Sequence, residues 1–335
     1  MLKVLVVGGG SAGTRHMRNL LALGAHVSAY RYRGGPLPGG VETCDTLEEG
    51  LHQDPHAVVI ANRTDQHLGT AQAVAQLSKP FFVEKPLSNS LRGVGALLDT
   101  VSRRQLVVEA GFMLRFHPNL RWLKDSLSLD AIGQVRYARA LVGQYLPDWR
   151  PGSDHRAGYS ARRAWGGGVI FDLIHELDLV TWLLGAVDDV IAFTLLEPSL
   201  GIETEAVAQI GLRMRSGALA QIHLDYIRPF YSRTLEIVGS KGTLMWDYVQ
   251  GRVFGATDHG EMRLLHEVPH GFERNDMFAA HMAHFVDRVR RTDVPAASPL
   301  EDAANVLRVA LAAHRSAACR TAVHPWQVDQ NFVVE

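Results

Sequence analysis

The segment "VLVVGGGSAGTRHMRNL", residues 4–20, decides the fold. Its leading apolar run reads as a strand buried on both faces, the pattern of a parallel sheet. Gly8, Gly10 and Gly13 follow at G-x-G-x-x-G spacing, and a helical pattern runs from about Ala12 to Leu23, where Gly24 stops it. The first glycine suits a tight turn, the second a close backbone approach to a pyrophosphate, the third close packing of helix on strand. Ser11, Ala12 and Gly13 lie at the helix N-terminus, which presents free amides and a positive dipole end to phosphates. A glycine triplet alone is a weak signal. Its place between a strand and a helix, at the head of a βαβ unit, gives it weight.

Outward from this loop the alternation continues. "HVSAYRY" (26–32), "AVVIAN" (57–62), "PFFVE" (80–84) and "LVVEAGF" (106–112) read as strands. "TLEEGL" (46–51), capped by Thr46, "DQHLGTAQAVAQL" (65–77) and "SLRGVGALLDTVSRR" (90–104) read as helices. Residues 1–117 are therefore expected to form a doubly wound α/β domain. Beyond residue 118 the pattern changes. One helix is expected over 169–184, then extended segments with glycine turns, from "VIAFTLLE" to "RVFGA", that predict a mostly antiparallel sheet. Two helical stretches close the chain, and part of this C-terminal helix is expected to pack back on the first domain. The fold class is thus α/β with a C-terminal α+β domain over 118–335.

Bulk properties narrow the function. The 335 residues carry a formal net charge of −1 and no block of like charges, against nucleic acid or an anionic membrane as main partner. No run approaches the roughly 18–20 apolar residues of a membrane span. The N-terminal apolar run is too short for a signal peptide. Two isolated cysteines, Cys44 and Cys319, make neither a disulfide framework nor a zinc ribbon, so a reduced, cytoplasmic protein is expected.

The dinucleotide fingerprint places an acid about 20 residues after the glycines, for the ribose hydroxyl. Here the second strand ends Tyr30-Arg31-Tyr32-Arg33, with no carboxylate before Glu42. Arg31 and Arg33 fit a 2′-phosphate, so NADP(H) is favoured over NAD(H); the competing explanation is two arginines solvated at a strand edge.

Two further stretches carry chemistry. "PFFVEKPLSNS" (80–90) ends a buried strand in Glu84-Lys85-Pro86, at the sheet edge where ligands bind. A partly desolvated ammonium there can exchange protons near neutrality; the bland alternative is a lysine paired with Glu84 in a surface turn. In "WGGGVIFDLIHELDLVTWLLG" (165–185), ideal helical spacing puts His175 about 60° from both Asp172 and Asp178, which suits a proton shuttle. Taken alone, a capping Asp and a structural His would account for it as well. His281 and His284, three apart on a helix, lack the partners of a metal site, and no metal is expected.

With these stretches, "VVIANRTDQHLGTA", "GFMLRFHP" and "RTLEIVGSKGTLMWD", the chain resembles the Gfo/Idh/MocA (glucose–fructose oxidoreductase / inositol dehydrogenase) family over nearly its whole length. The resemblance implies a Rossmann domain followed by a domain with a large open-faced sheet used for homodimers or homotetramers. It implies hydride transfer between a nicotinamide and a sugar-, amino-sugar- or cyclitol-like substrate, with Lys85 on the family's active-site lysine and His175 on its acid/base histidine. Asn62, Arg63, Thr64, His67 and Glu84 then join the cofactor site. Arg115 and His117, which follow the fifth strand of the first domain, are expected to border the substrate site, and Trp149, Arg156 and Tyr159 to reach it from the segment before the active-site helix, with Asp172 and His175. The chain departs from the family in having two residues rather than three between Asp172 and His175, so Asp178 or Glu176 is an alternative to Asp172. Arg63 stands where the family often has Pro, and Met113 where it often has Asn. The segment from Tyr145 to Arg163 reads as a substrate loop or a dimer contact. Two other functions are compatible with these residues: transient use of a held nicotinamide in elimination or glycoside cleavage, and a non-catalytic NADP(H)-sensing dimer.

Overall fold

Four consecutive β-favouring residues, Val4 to Val7, are almost wholly removed from water in strand β1 (Lys3–Val7). The computed structural model describes residues 1–32, 36–257 and 260–334, and Arg33 lies outside them. From β1 the chain runs through α1 (Ser11–Ala22), β2 (His26–Tyr30), β3 (Val41–Cys44), α2 (Leu47–His52), β4 (Ala57–Ile60), α3 (Thr64–Gln76), β5 (Phe81–Val83), α4 (Val94–Arg103) and β6 (Val108–Ala110). Among the described residues the six strands form one parallel sheet of order β3-β2-β1-β4-β5-β6. The order reverses between β1 and β4, which opens a crevice beyond the carboxyl ends of the strands.

Next come α5 (Pro118–Ser128), β7 (Val135–Gly143), α6 (Val169–Asp172), α7 (His175–Leu184), β8 (Val187–Leu195), β9 (Val207–Met214) and β10 (Leu219–Asp225). They are followed by β11 (Ser232–Gly239), β12 (Gly242–Asp247), β13 (Arg252–Thr257), β14 (Arg263–Glu267), α8 (Arg274–Arg290) and α9 (Leu300–Cys319). The second sheet has the order β14-β13-β12-β11-β7-β10-β9-β8. Its pairs are antiparallel except β7 with β10. One face is buried through Ala138, Ala140, Ile210, Ile222, Ile237 and Trp246, while Ile191, Phe193, Leu195, Leu219 and Met245 stand exposed in its strands.

The chain divides into two compact units. The first is Met1–Phe116 with Glu273–Ala304, so α8 packs on α1 within the unit that holds the parallel sheet. Met282, Phe285 and Val286 of α8 join Val4, Val6, Met17 and Leu20 in one apolar core, each large side chain worth about 1.5–3 kcal/mol of burial. The second unit is His117–Phe272 with the chain from Asn305 onward.

Four elements differ from the sequence reading. The helix expected over 169–184 is two helices, parted by a turn at Leu173 and Ile174. Strands β3, β7 and β14 had no counterpart among the predicted elements. Cys44 is buried and Cys319 exposed, both as free thiols. Among the described residues no helix is long and apolar enough to cross a membrane.

Candidate functional site

The glycine loop is built by close approach. Gly8 has φ +121°, and a Cβ there would lie 2.2 Å from the Ala61 carbonyl oxygen. A Cβ on Gly13 would meet the Gly8 carbonyl oxygen at 2.0 Å, so α1 sits against the loop as only glycine permits. Gly10 is the N-cap of α1 without a side-chain cap, and a Cβ there would meet nothing within 4 Å. Ser11, Ala12 and Gly13 thus open the helix beside a cleft of about 590 Å³ lined by Gly9, Gly10, Ser11, Thr14, Arg15 and Arg18. No acid stands in the first turn of α1 to repel an anion. These residues fit the pyrophosphate of a dinucleotide, which would supply hydride chemistry when bound.

Arg31 follows β2 directly and runs along Gly9, whose Cβ would come 3.2 Å from the arginine's Cβ and Cδ. Glu42 is paired not with a ribose site but with His26, at the opposite end of β2, 2.9 Å away. Asn62 follows β4 and donates from Nδ2 to the Thr70 hydroxyl at 3.0 Å. Arg63 caps α3 and grips Asp65 through Nε and a terminal nitrogen at 3.0 and 2.8 Å. Thr64, the first residue of α3, is buried.

His67 is buried as well. Its Nδ1 lies 2.7 Å from the Pro86 carbonyl and its Nε2 3.0 Å from that of Asn62. Burial pushes the ring's pKa down, while the two carbonyls and the Glu84 charge oppose that shift. The imidazole ties the turn after β4 to the turn after β5.

That second turn carries Glu84 and Lys85. Glu84 accepts from His16 Nε2 at 2.7 Å through Oε1, and from the backbone N–H of Lys85 at 3.1 Å through Oε2. Burial pushes the Glu84 carboxyl up, but the His16 hydrogen bond and the charges of His16, Lys85 and His67 outweigh it and bring the pKa to about 2. Lys85 is half-buried, and the Lys85–Pro86 peptide bond is cis. The sequence reading found no role for His16.

In the second unit, Gly168 is the N-cap of α6, with φ +109°, and a Cβ there would overlap the Glu205 carboxyl group at 2.4 Å. Glu205 accepts from the Ile170 N–H at 3.1 Å. Asp172 ends α6 and is held by tyrosines: Tyr226 donates to Oδ2 at 2.6 Å, and Tyr159 also hydrogen-bonds the carboxylate. Both hydroxyls are held well above the ordinary phenol pKa, first by burial and then by the Asp172 charge. His175 opens α7, beyond the turn, so the ideal-helix angle between it and Asp172 does not apply. Glu176 forms a buried pair with Arg233 at 2.7 Å, tying α7 to β11 and committing that carboxylate elsewhere. Asp178 keeps its helical spacing from His175 and is buried.

Several expected substrate residues have partners within the protein. Arg115 is 4% exposed and binds the Asp302 carboxylate at 2.7 Å and the Ala297 carbonyl at 2.9 Å. His117 is 1% exposed, caps α5 by accepting from the Asn119 N–H, and is enclosed by Trp246, Tyr248 and Phe272. Its pKa is pushed down to about 3, chiefly by burial and then by Arg233 and His266. Trp149 donates to the Gln144 carbonyl and sets its ring edge-on to Tyr226, on the Asp172 cluster. Arg156 is exposed and forked onto Asp154 at 2.9 and 3.1 Å. Trp149 also lines a cavity of about 260 Å³ with Arg150, Asp154, His155 and Ser160. Tyr226, Glu205 and His16 were missed because their partners are distant in sequence.

Comparison with known proteins supports one assignment. A model described as "Oxidoreductase family, NAD-binding Rossmann fold" matches residues 2–112, and one described as "GFO/IDH/MocA C-terminal domain" matches residues 120–245. Myo-inositol 2-dehydrogenase of Thermotoga maritima is 27% identical over 331 residues, covering 94% of this chain and 96% of the relative. Scyllo-inositol 2-dehydrogenase (NAD(+)) of Bacillus subtilis is 24% identical, covering 94% of each. Among solved structures, GenD2 from gentamicin A biosynthesis in complex with NAD is 26% identical, with a TM-score of 0.82 and 96% of each chain covered. Levoglucosan dehydrogenase in complex with NADH and L-sorbose shares the fold, with a TM-score of 0.85 at 20% identity, covering 98% of this chain and 99% of that one.

Proposed function

This chain belongs to the GFO/IDH/MocA oxidoreductase family, whose N-terminal domain is an NAD-binding Rossmann fold, and from that membership we propose that it is a dehydrogenase or reductase of a secondary alcohol in a sugar- or cyclitol-like substrate. The observation that carries the reading is the glycine cradle joined to a Glu84–Lys85 turn on the same sheet edge. The relatives named for inositols support a polyol as substrate. Lys85, on the carboxyl end of β5, polarises the reacting oxygen or exchanges its proton. His175, at the first position of α7, handles the proton of the substrate hydroxyl. Asp172 acts as a carboxylate fixed by Tyr226 and Tyr159, with Asp178 as the helical neighbour of His175.

For the dinucleotide, Arg31 against the glycine loop and the lack of a carboxylate at Arg31 and Tyr32 favour the extra phosphate of NADP(H). Solved relatives name NAD and NADH, so the two cofactors must be compared directly. Titration of each reduced dinucleotide, followed by energy transfer from tryptophan, provides the test. Tighter NADPH binding that Arg31→Ala weakens about tenfold is the expected result, and equal binding of NADH would reverse the cofactor preference. Binding of neither would remove the oxidoreductase reading. We further propose that the exposed apolar face of the second sheet is covered by another copy of this chain, in a homodimer or homotetramer.

A further inference from the structure

We propose that His16 is a positioning residue that holds Glu84 ionised and directed at the backbone of Lys85, and so sets the lysine's readiness to exchange a proton. The inference rests on the reading of Lys85 as a proton-handling residue. Its basis is geometric. His16 lies on the inner face of α1, 2% exposed, one turn beyond the glycine loop. Its Nε2 reaches Glu84 Oε1 at 2.7 Å, and the other oxygen accepts the Lys85 N–H at 3.1 Å. A carboxylate with such a low pKa only accepts, so Nε2 carries the proton and donates.

The carboxylate is confined on its remaining side. A Cβ on Gly111 would come within 2.7 Å of Glu84 Oε2 and 3.0 Å of its Cα. The His16 ring is set edge-on to Phe82 at 5.1 Å, which fixes its plane. The charged and titratable groups facing Glu84 are Arg15 and His16 on α1, His67 on α3, His281 on α8 and the adjacent Lys85. Of these, His16 makes the side-chain hydrogen bond to the carboxylate. Without that donor, burial favours the neutral acid, and the negative charge beside the lysine is lost. One helix thereby presents amides for phosphate at its first turn and steadies the lysine's turn from its second.

The test reads the lysine itself in the apoprotein, so it does not depend on turnover. Lys85 is labelled with acetic anhydride across a pH series, and its modified peptide is quantified by mass spectrometry in wild type, His16→Ala, His16→Asn, His16→Gln and Glu84→Gln. Thermal melting by circular dichroism selects the variants that fold. Glu84→Gln should lower the labelling midpoint by about one pH unit, and His16→Ala or His16→Asn should lower it in the same direction. His16→Gln, which places an amide N–H near the position of Nε2, should restore the wild-type midpoint. A midpoint unchanged or raised in both His16→Ala and His16→Asn would overturn the proposal. Turnover is measured separately: a shifted midpoint in a protein that reduces and oxidises nothing would retain the positioning role and discard the enzymatic reading.

Discussion

Glu205 shows what burial does to a single carboxyl group. Burial pushes its pKa up to about 7; Asp172 adds to the rise, while the Ile170 N–H and Arg163 oppose it. Between the ordinary value of 4.5 and about 7, the folded protein therefore keeps a proton that the unfolded chain has released. The associated stability is complete below the unfolded value and is lost as pH rises through about 7, with a magnitude on the order of 3 kcal/mol. The urea midpoint of wild type relative to that of Glu205→Gln should decline between about pH 5 and about pH 8, since every other titrating group is common to both proteins. Glu84 has the opposite sign. Its pKa, lowered to about 2, contributes stability above 4.5 that is lost as pH falls toward about 2. At this scale the sequence was legible where geometry follows chain order, as in the close backbone approaches at Gly8 and Gly13. It was opaque for Tyr226 and Glu205, which meet the Asp172 helix from β-strand ends far along the chain. Arg115 and His117 were read as site residues because they follow a Rossmann strand, and their partners, Asp302 and an aromatic box, lie too far along the chain for that reading to find.

Local rules sufficed for elements whose signals are local. Thr46 was read as the cap of a short helix, and its hydroxyl accepts from the Glu49 N–H at 3.0 Å at the start of α2. Thr46→Ala should cost about 1 kcal/mol, measured as a lower urea midpoint with unchanged m-value. The break between α6 and α7 was not legible, because nothing in "VIFDLIHELD" interrupts helical periodicity. The turn there is set by tertiary partners: the Glu205 carboxylate at the head of α6, the tyrosine pair on Asp172, and the Arg233 pair on Glu176. β7 was overlooked for a different reason. Its buried positions include Ala138, Ala140 and Val142, two of them small, while Tyr137 and Leu141 stand half-buried on either side of Arg139, so its two-residue period carries little hydrophobic contrast.

Across the molecule, the division into a parallel and a mostly antiparallel sheet followed from whether helices separate the extended segments. The open face of the second sheet did not, since exposure depends on what each strand meets on its far side. Phe193 is 66% exposed and Leu195 55% exposed on the edge strand β8, with Ile191 beside them. An apolar face of this kind is covered in most soluble proteins. Phe193→Asp should shift the mass measured by light scattering after gel filtration toward the monomer, leaving the circular dichroism spectrum unchanged. A wild-type protein already monomeric at micromolar concentration would contradict the homo-oligomer reading.

β7 has one more consequence, for the order in which this sheet comes into being. Tyr137 lies opposite Leu219 on one side and Val238 on the other. Neither neighbour is joined to β7 by a hairpin. A nascent chain emerging from the ribosome therefore makes this strand long before either companion exists, and the sheet's centre must wait while its later hairpins, β9–β10 and β11–β12, become available. Closing such distant pairs is slow compared with zipping adjacent strands. In cells this interval, rather than the stability of the finished sheet, is the period in which helper chaperones have most to protect.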